Sequence, residues 1–223
     1  MARHTTLNGS FTLLIPILQN SGLFDTVEQT VTSGFYYLTC TSGSLTFKIG
    51  GFISPGLMSV YAKSGPAEYG RDGSNADATD YRVEDVYECE AGIAIVCDCA
   101  RILICKNNLG KTMVAFGEST PNMAQTDIEV KTGAVMSTIC AIADGDGDEY
   151  KMLMNNTGAD IAKRKFNQTL PIPIPTQADF DAVSYADGAL LVLLPQSRDT
   201  GYVVYGGKRY FTDGYFMIED GEV

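Results

Sequence analysis

Residues 89–105 read CEAGIAIVCDCARILIC and hold four of the chain's six cysteines, Cys89, Cys97, Cys99 and Cys105. Four readings compete: a metal cage, a disulfide framework, a redox site, or small apolar residues in a core. If the segment from Val86 to Arg101 is extended, side chains alternate faces, and Cys89, Ala91, Ile93, Ile95, Cys97 and Cys99 fall on one side. Glu88, Glu90, Ala94, Val96 and Asp98 fall on the other. The cysteines then share a face with isoleucines, as small hydrophobes do in a core. Zinc prefers Cys-x-x-Cys knuckles that bend around one ion, whereas this segment offers Cys-x-Cys on a straight strand with no histidine nearby. Cys97 and Cys99 on one strand are poorly placed to bridge each other. Core packing is therefore the expected role, and strand the expected conformation.

Working outward, strand remains the dominant signal. Phe35–Cys40, a Thr41–Ser44 turn, and Leu45–Ile49 with Leu45, Phe47 and Ile49 on one face read as a hairpin ended by Gly50-Gly51. Further strands are expected at Leu57–Tyr61, Tyr81–Cys89 and Lys111–Phe116, the last after an Asn107–Gly110 turn, and then at Asp127–Lys131, Val135–Ala143 and Glu149–Met154. Ser64–Asp80 is small and acidic and reads as a loop or contact arm, offering Tyr69, Arg71 and Asp72 as interaction residues. Short strands joined by Gly, Asn and Asp turns, without a long 3.6-residue period, predict a mainly β main domain, an antiparallel sandwich or barrel.

Alternating prolines at 171, 173 and 175 hold their segment extended, as a stiff connector or as an edge strapped to the main body. The organisation expected is thus a β-rich main domain over 1–168, a Pro-rich connector over 169–175 and a small module over 176–223. In that module Thr176 with Asp179 three residues on resembles a capping box opening a short helix. A meander follows, with Ala189–Leu194, Tyr202–Tyr205 and Lys208–Phe211 as strands and Gly206-Gly207 as a tight turn.

The net charge of −11 argues against nucleic acid or an anionic membrane as partner, since phosphate binding needs clustered Lys and Arg. No apolar run reaches the roughly 18 residues that would span a bilayer, and the N-terminus lacks a signal-peptide layout, so the product is expected to be made in the cytosol with its cysteines reduced. His4 is the only histidine, which removes His-rich metal sites and leaves a thiol or serine triad little to work with. Neither a phosphate-binding loop nor a dinucleotide fingerprint is present, and no cofactor is expected. Asp144, Asp146 and Asp148 match the first three ligands of an EF-hand loop. The match then fails, with Glu149 where glycine must turn and Asn155 where a bidentate glutamate must close the site. The tyrosines, Tyr202 and Tyr205 among them, suit strand cores, interfaces or stacking on sugars.

The stretch TQADFDAVSYADGALLVLLPQSRDTGYVVYGGKRYF, residues 176–211, resembles a small module of tailed-bacteriophage structural proteins, particularly head-fibre, tail-fibre and minor virion proteins. Thr176, Ala178, Asp179, Phe180, Asp181 and Ala182 carry a helix start of that layout, and Tyr205, Gly206 and Gly207 its hairpin. Asn155–Lys163 is similar to an Asn-x-Thr-Gly turn of phage capsid-decorating β domains, with Arg164 where glycine is usual. The resemblance implies a non-enzymatic virion component, assembled in the host cytoplasm, that decorates or connects a capsid or tail and can display a host-contact surface. Its partners would be other virion proteins and copies of itself, often as trimers. A carbohydrate-binding or glycan-depolymerising β protein is the alternative, since glycosidase chemistry needs only two carboxylates.

Overall fold

The computed structural model describes residues 1–8, 11–32, 35–52, 57–65, 67–70, 81–97, 100–118, 138–144, 171–178, 181–191, 200–213 and 216–223. In chain order they form β1 (Arg3–Thr6), a 3-10 turn (Phe11–Leu13) leading into α1 (Leu14–Asn20), β2 (Thr26–Thr32), β3 (Phe35–Ser42), β4 (Leu45–Phe52), β5 (Leu57–Ser64) and β6 (Ala67–Gly70). Then come β7 (Tyr81–Glu88), β8 (Gly92–Cys97), β9 (Ala100–Lys106), β10 (Thr112–Glu118) and β11 (Thr138–Ala143). The C-terminal part supplies β12 (Ile172–Ala178), β13 (Asp181–Leu191), β14 (Gly201–Tyr205), β15 (Lys208–Thr212) and β16 (Phe216–Glu222). The chain is mainly β, and its ladders are antiparallel, as the spacing of strands and turns predicts.

Two meanders build one eleven-stranded sheet of order β11-β10-β9-β8-β7-β5-β4-β3-β2, with β6 on β5. The join is short: Leu57 and Met58 of β5 pair with Arg82 and Tyr81 of β7. Past that point β1 takes up β7, from Asp85 to Glu88. The first meander lays Leu38, Cys40, Phe47 and Ile49 against Ile93, Ile95, Cys97, Ile102, Ile104, Val114 and Phe116 of the second, which is a sandwich. Leu14 and Leu18 of α1 close this core. Pro16 sits in the first turn of α1, where its missing N–H would have had no helical partner.

A separate five-stranded sheet, β12-β13-β16-β15-β14, covers the other face of the second meander. Ala94, Leu103, Cys105, Met113, Ala115, Ala141 and Ala143 there meet Ile174, Leu191, Phe211, Phe216 and Ile218. Mostly small residues on the middle layer, four of them alanines, face large ones on the C-terminal sheet, which lets the two sheets approach closely. The Arg101 guanidinium, buried in this seam, donates from Nε to the Asp213 carbonyl at 3.0 Å and from Nη1 to the carbonyls of Cys97 and Ala100. Strands β8 and β9 are buried along their whole length apart from Lys106.

Four expectations are corrected here. The cysteine stretch is not one straight strand: it turns at Cys89–Ala91, where the Cys89 N–H donates to the Gly92 carbonyl at 2.8 Å, so the face alternation restarts in β8. Cys89 consequently packs beside the second core while Cys97 faces the first; Cys105, on the next strand, faces the second, so Cys97 and Cys105 lie on opposite sides of the sheet and cannot share an ion. Cys99 lies outside the described residues. The helix expected from Thr176 is strand instead. Ser184, across the ladder, shares a hydrogen bond with the Thr176 hydroxyl at 2.6 Å and accepts one from the Asn107 amide at 2.9 Å, so tertiary pairing uses the side chain that would have capped a helix. Finally, β4 continues through Gly50-Gly51, because a Cβ at Gly50 would stand 2.5 Å from the Tyr36 carbonyl and only glycine permits that approach. Ala67–Gly70, expected within a loop, pairs with β5.

The prolines take the edge alternative. β12 is the outermost strand, with Ile174 and Thr176 buried, Pro173 exposed, and register shifts between Pro173 and Pro175 and between Thr176 and Gln177. A residue without an N–H is tolerated there because one side of an edge strand needs no ladder bonds.

Two outcomes follow from the layering. Leu103→Ala, at the centre of the second core, should cost about 2–5 kcal/mol, read from the denaturation midpoint. Burial pushes the thiols of Cys40 and Cys105 up to about 12, so with Cys97 they should react with a thiol reagent at neutral pH only after denaturant is added.

Candidate interaction surface

Asp144 ends β11 and enters the acidic turn; Asp146 and Asp148 lie outside the described residues, as do Arg71 and Asp72. The carboxylate of Asp144 is buried and already held. Oδ1 accepts from the Ser44 backbone N–H at 2.7 Å and from the Ser44 hydroxyl at 2.9 Å, and Oδ2 receives Lys111 Nζ at 3.4 Å. Asp25 Oδ2 accepts the neighbouring Gly43 N–H at 2.9 Å. The two carboxylates thus clamp the β3–β4 turn, and Asp144 fastens the end of the second meander to it. Burial alone would raise the Asp144 pKa, but the Ser44 hydrogen bonds and the Lys111 charge outweigh it and hold the carboxyl below its ordinary value.

The tyrosines separate. Tyr69 is on β6, opposite Ala62 of β5. Tyr202 and Tyr205 are on β14, an outer strand of the five-stranded sheet, and remain 46% and 40% exposed, with Val204 between them at 63%. Tyr202 and Val204 share one face of this edge strand and Tyr205 lies on the other, so the strand is exposed on both sides. Tyr202 is anchored at its inner side: its hydroxyl accepts the Ala2 N–H at 3.1 Å, its ring meets Phe211 edge-on at 5.9 Å, and the Arg209 guanidinium lies 5.9 Å from its centroid. Arg209 is itself aligned by Asp220, 3.5 Å from its Nη2. Pre-ordered aromatic side chains lose little entropy on contact.

Sequence reasoning chose Tyr202 and Tyr205 and missed Val204. The signal was there: Gly201–Tyr205 is an uncharged strand in a chain of net charge −11, and an edge strand without charges is one without the usual guard against pairing. Tyr185, 42% exposed, lies on β13 beside the β9–β10 turn, where the Asn108 N–H donates to its carbonyl at 2.8 Å. Cys89, packed beside the second core and near Asp220 and Asp213, has its thiol pushed up by burial first and by those carboxylates second, the opposite of what a nucleophile needs. Among the described residues no group of three or more His, Cys, Asp or Glu side chains is placed to share a metal ion.

Comparison with protein-family models, with curated proteins and with solved structures finds no match to this chain.

The Asp144 clamp has a pH signature. Its folded-state carboxyl ionises at lower pH than the roughly 3.9 of an unfolded chain, so its contribution is complete above that value and is lost as pH falls through the lower folded-state one. Asp144→Ala should cost about 1–3 kcal/mol at neutral pH by leaving the Ser44 donors without their acceptor. Acid titration of stability should then be shallower in the variant than in the parent, as measured by urea midpoints from neutral pH downwards.

Proposed function

We propose that this chain is a non-enzymatic structural component of a tailed-phage virion, assembled in the host cytoplasm and working by contact with capsid or tail partners. The observation that carries the reading is the open edge β14. A neutral strand at a sheet edge leaves Tyr202, Val204 and Tyr205 exposed, whereas Asp144 and the buried cysteines Cys97 and Cys105 are engaged in tethering or packing. Tyrosine with an aliphatic neighbour is the chemistry of contact anchors.

The resemblance in residues 176–211 supports the phage assignment through its hairpin. Tyr205, Gly206 and Gly207 form the turn that the module calls for. Its helix start is strand in this protein, so the hairpin bears that support alone. Capsid and tail attachment are both served by an exposed strand edge, and exposed tyrosines would also suit a host-surface glycan.

The test is mass spectrometry of density-purified particles from cells producing the phage that encodes this chain. Its peptides should appear at the abundance of a structural protein and persist through high-salt washing. Confinement to the soluble fraction would overturn the virion reading. Release of reducing sugar from capsular polysaccharide by the purified chain would favour the glycan-depolymerising alternative.

A further inference from the structure

The hairpin carrying β14 determines which backbone groups of the edge are free. Gly206 and Gly207 have φ of 59° and 82° and close a two-residue turn between Tyr205 and Lys208. Positive φ at both positions is the geometry of a type I′ turn, which makes Tyr205 and Lys208 a hydrogen-bonded pair. Alternation along the antiparallel ladder then makes Val203–Tyr210 and Gly201–Thr212 the next such pairs. The N–H and C=O groups of Tyr202 and Val204 therefore point out of the sheet, away from β15.

We propose that β14 pairs with β14 of a second copy of this chain, antiparallel, about a two-fold axis through Val203. This rests on reading β14 as a contact edge. In that register Tyr202 lies opposite Val204 of the second copy, and the outward groups of both exchange about four hydrogen bonds across the axis. Tyr–Val is an aromatic–β-branched pair, of the kind that stabilises antiparallel ladders. Gly201 lies opposite Tyr205 of the second copy, whose ring covers a position with no side chain of its own. The strand is thus its own complement.

Charge and the opposite edge agree. A chain of net charge −11 repels itself over most of its surface, yet Gly201–Tyr205 contains no ionisable group near neutrality. At the far side of the same sheet, β12 carries Pro173, Pro175 and two register shifts, which block strand addition. One edge is guarded and the other is not. A two-fold contact of this kind closes at two copies, so it builds a dimer rather than the trimer that the phage resemblance suggests.

The experiment is light scattering of the full chain over a concentration series, with two variants at Val204 and a cysteine probe at the axis. Val204→Pro deletes an outward N–H and leaves the β14–β15 ladder intact; Val204→Lys adds a charge and keeps the assay usable should the proline variant fail to fold. The parent should reach twice the chain mass, and the variants should remain at one chain mass while still melting cooperatively, without the parent's rise of melting temperature with concentration. Val203→Cys should form a 203–203 disulfide on mild oxidation, identified by peptide mapping, since the axis is a non-hydrogen-bonded position where Cβ atoms come close. One chain mass throughout with no 203–203 link overturns the proposal, as does a double mass that survives both substitutions at Val204. Either result leaves the virion assignment standing, because that is decided by the composition of purified particles.

Discussion

Two-sided burial of β8, β9 and β10 is the constraint on which the rest depends. A sheet strand normally offers one face to a core and one to water, and its sequence then alternates. Here Ile93, Ile95, Ile102 and Ile104 fill one core while Ala94, Leu103 and Cys105 fill another, so the strands read as an almost continuous apolar run. Nothing about those residues is satisfied by a two-layer sandwich. The C-terminal sheet is required to cover the second face, and Arg101 marks the dependence by placing its buried guanidinium on the Asp213 carbonyl of the covering layer.

That explains what was legible in the sequence and what was not. The β3–β4 hairpin, the turn at Asn107–Gly110 and the Gly206-Gly207 turn were readable, because each depends on local alternation or on residues that permit a tight turn. The cysteine stretch reads as strand with core-packed cysteines, which holds for Cys97 on β8 and Cys105 on β9. Its straightness failed because an apolar run buried on both faces carries no alternation to show where one strand stops and the next starts; only Glu90, exposed at the turn, marked the break. The Thr176 helix start failed for a related reason. A capping pattern is a weak local preference, and the Ser184 hydroxyl across the ladder supplies a partner that no local pattern reveals.

The candidate surface was half legible. Tyr202 and Tyr205 stood out as aromatic residues near a glycine turn, but their value depends on being at the end of a sheet order that only the fold discloses. Asp144 stood out as a possible ligand and is a clamp, since its neighbours in space, Ser44 and Lys111, are far from it in the chain. Composition suggested chemistry in both the cysteines and the acidic turn, and the described members of each are engaged in holding layers and turns together.

The seam between the middle layer and the C-terminal sheet also sets an order of events. A ribosome delivers residues 92–118 well before residues 172–218, so the face bearing Leu103, Cys105 and Met113 stays uncovered while more than fifty further residues are made. A nascent chain in that interval presents a largely apolar, strand-rich surface to every neighbour on the same messenger. Its safe maturation depends on how quickly the last sheet arrives, which makes the distance along the chain between the two partners, as much as the strength of their contact, a determinant of yield.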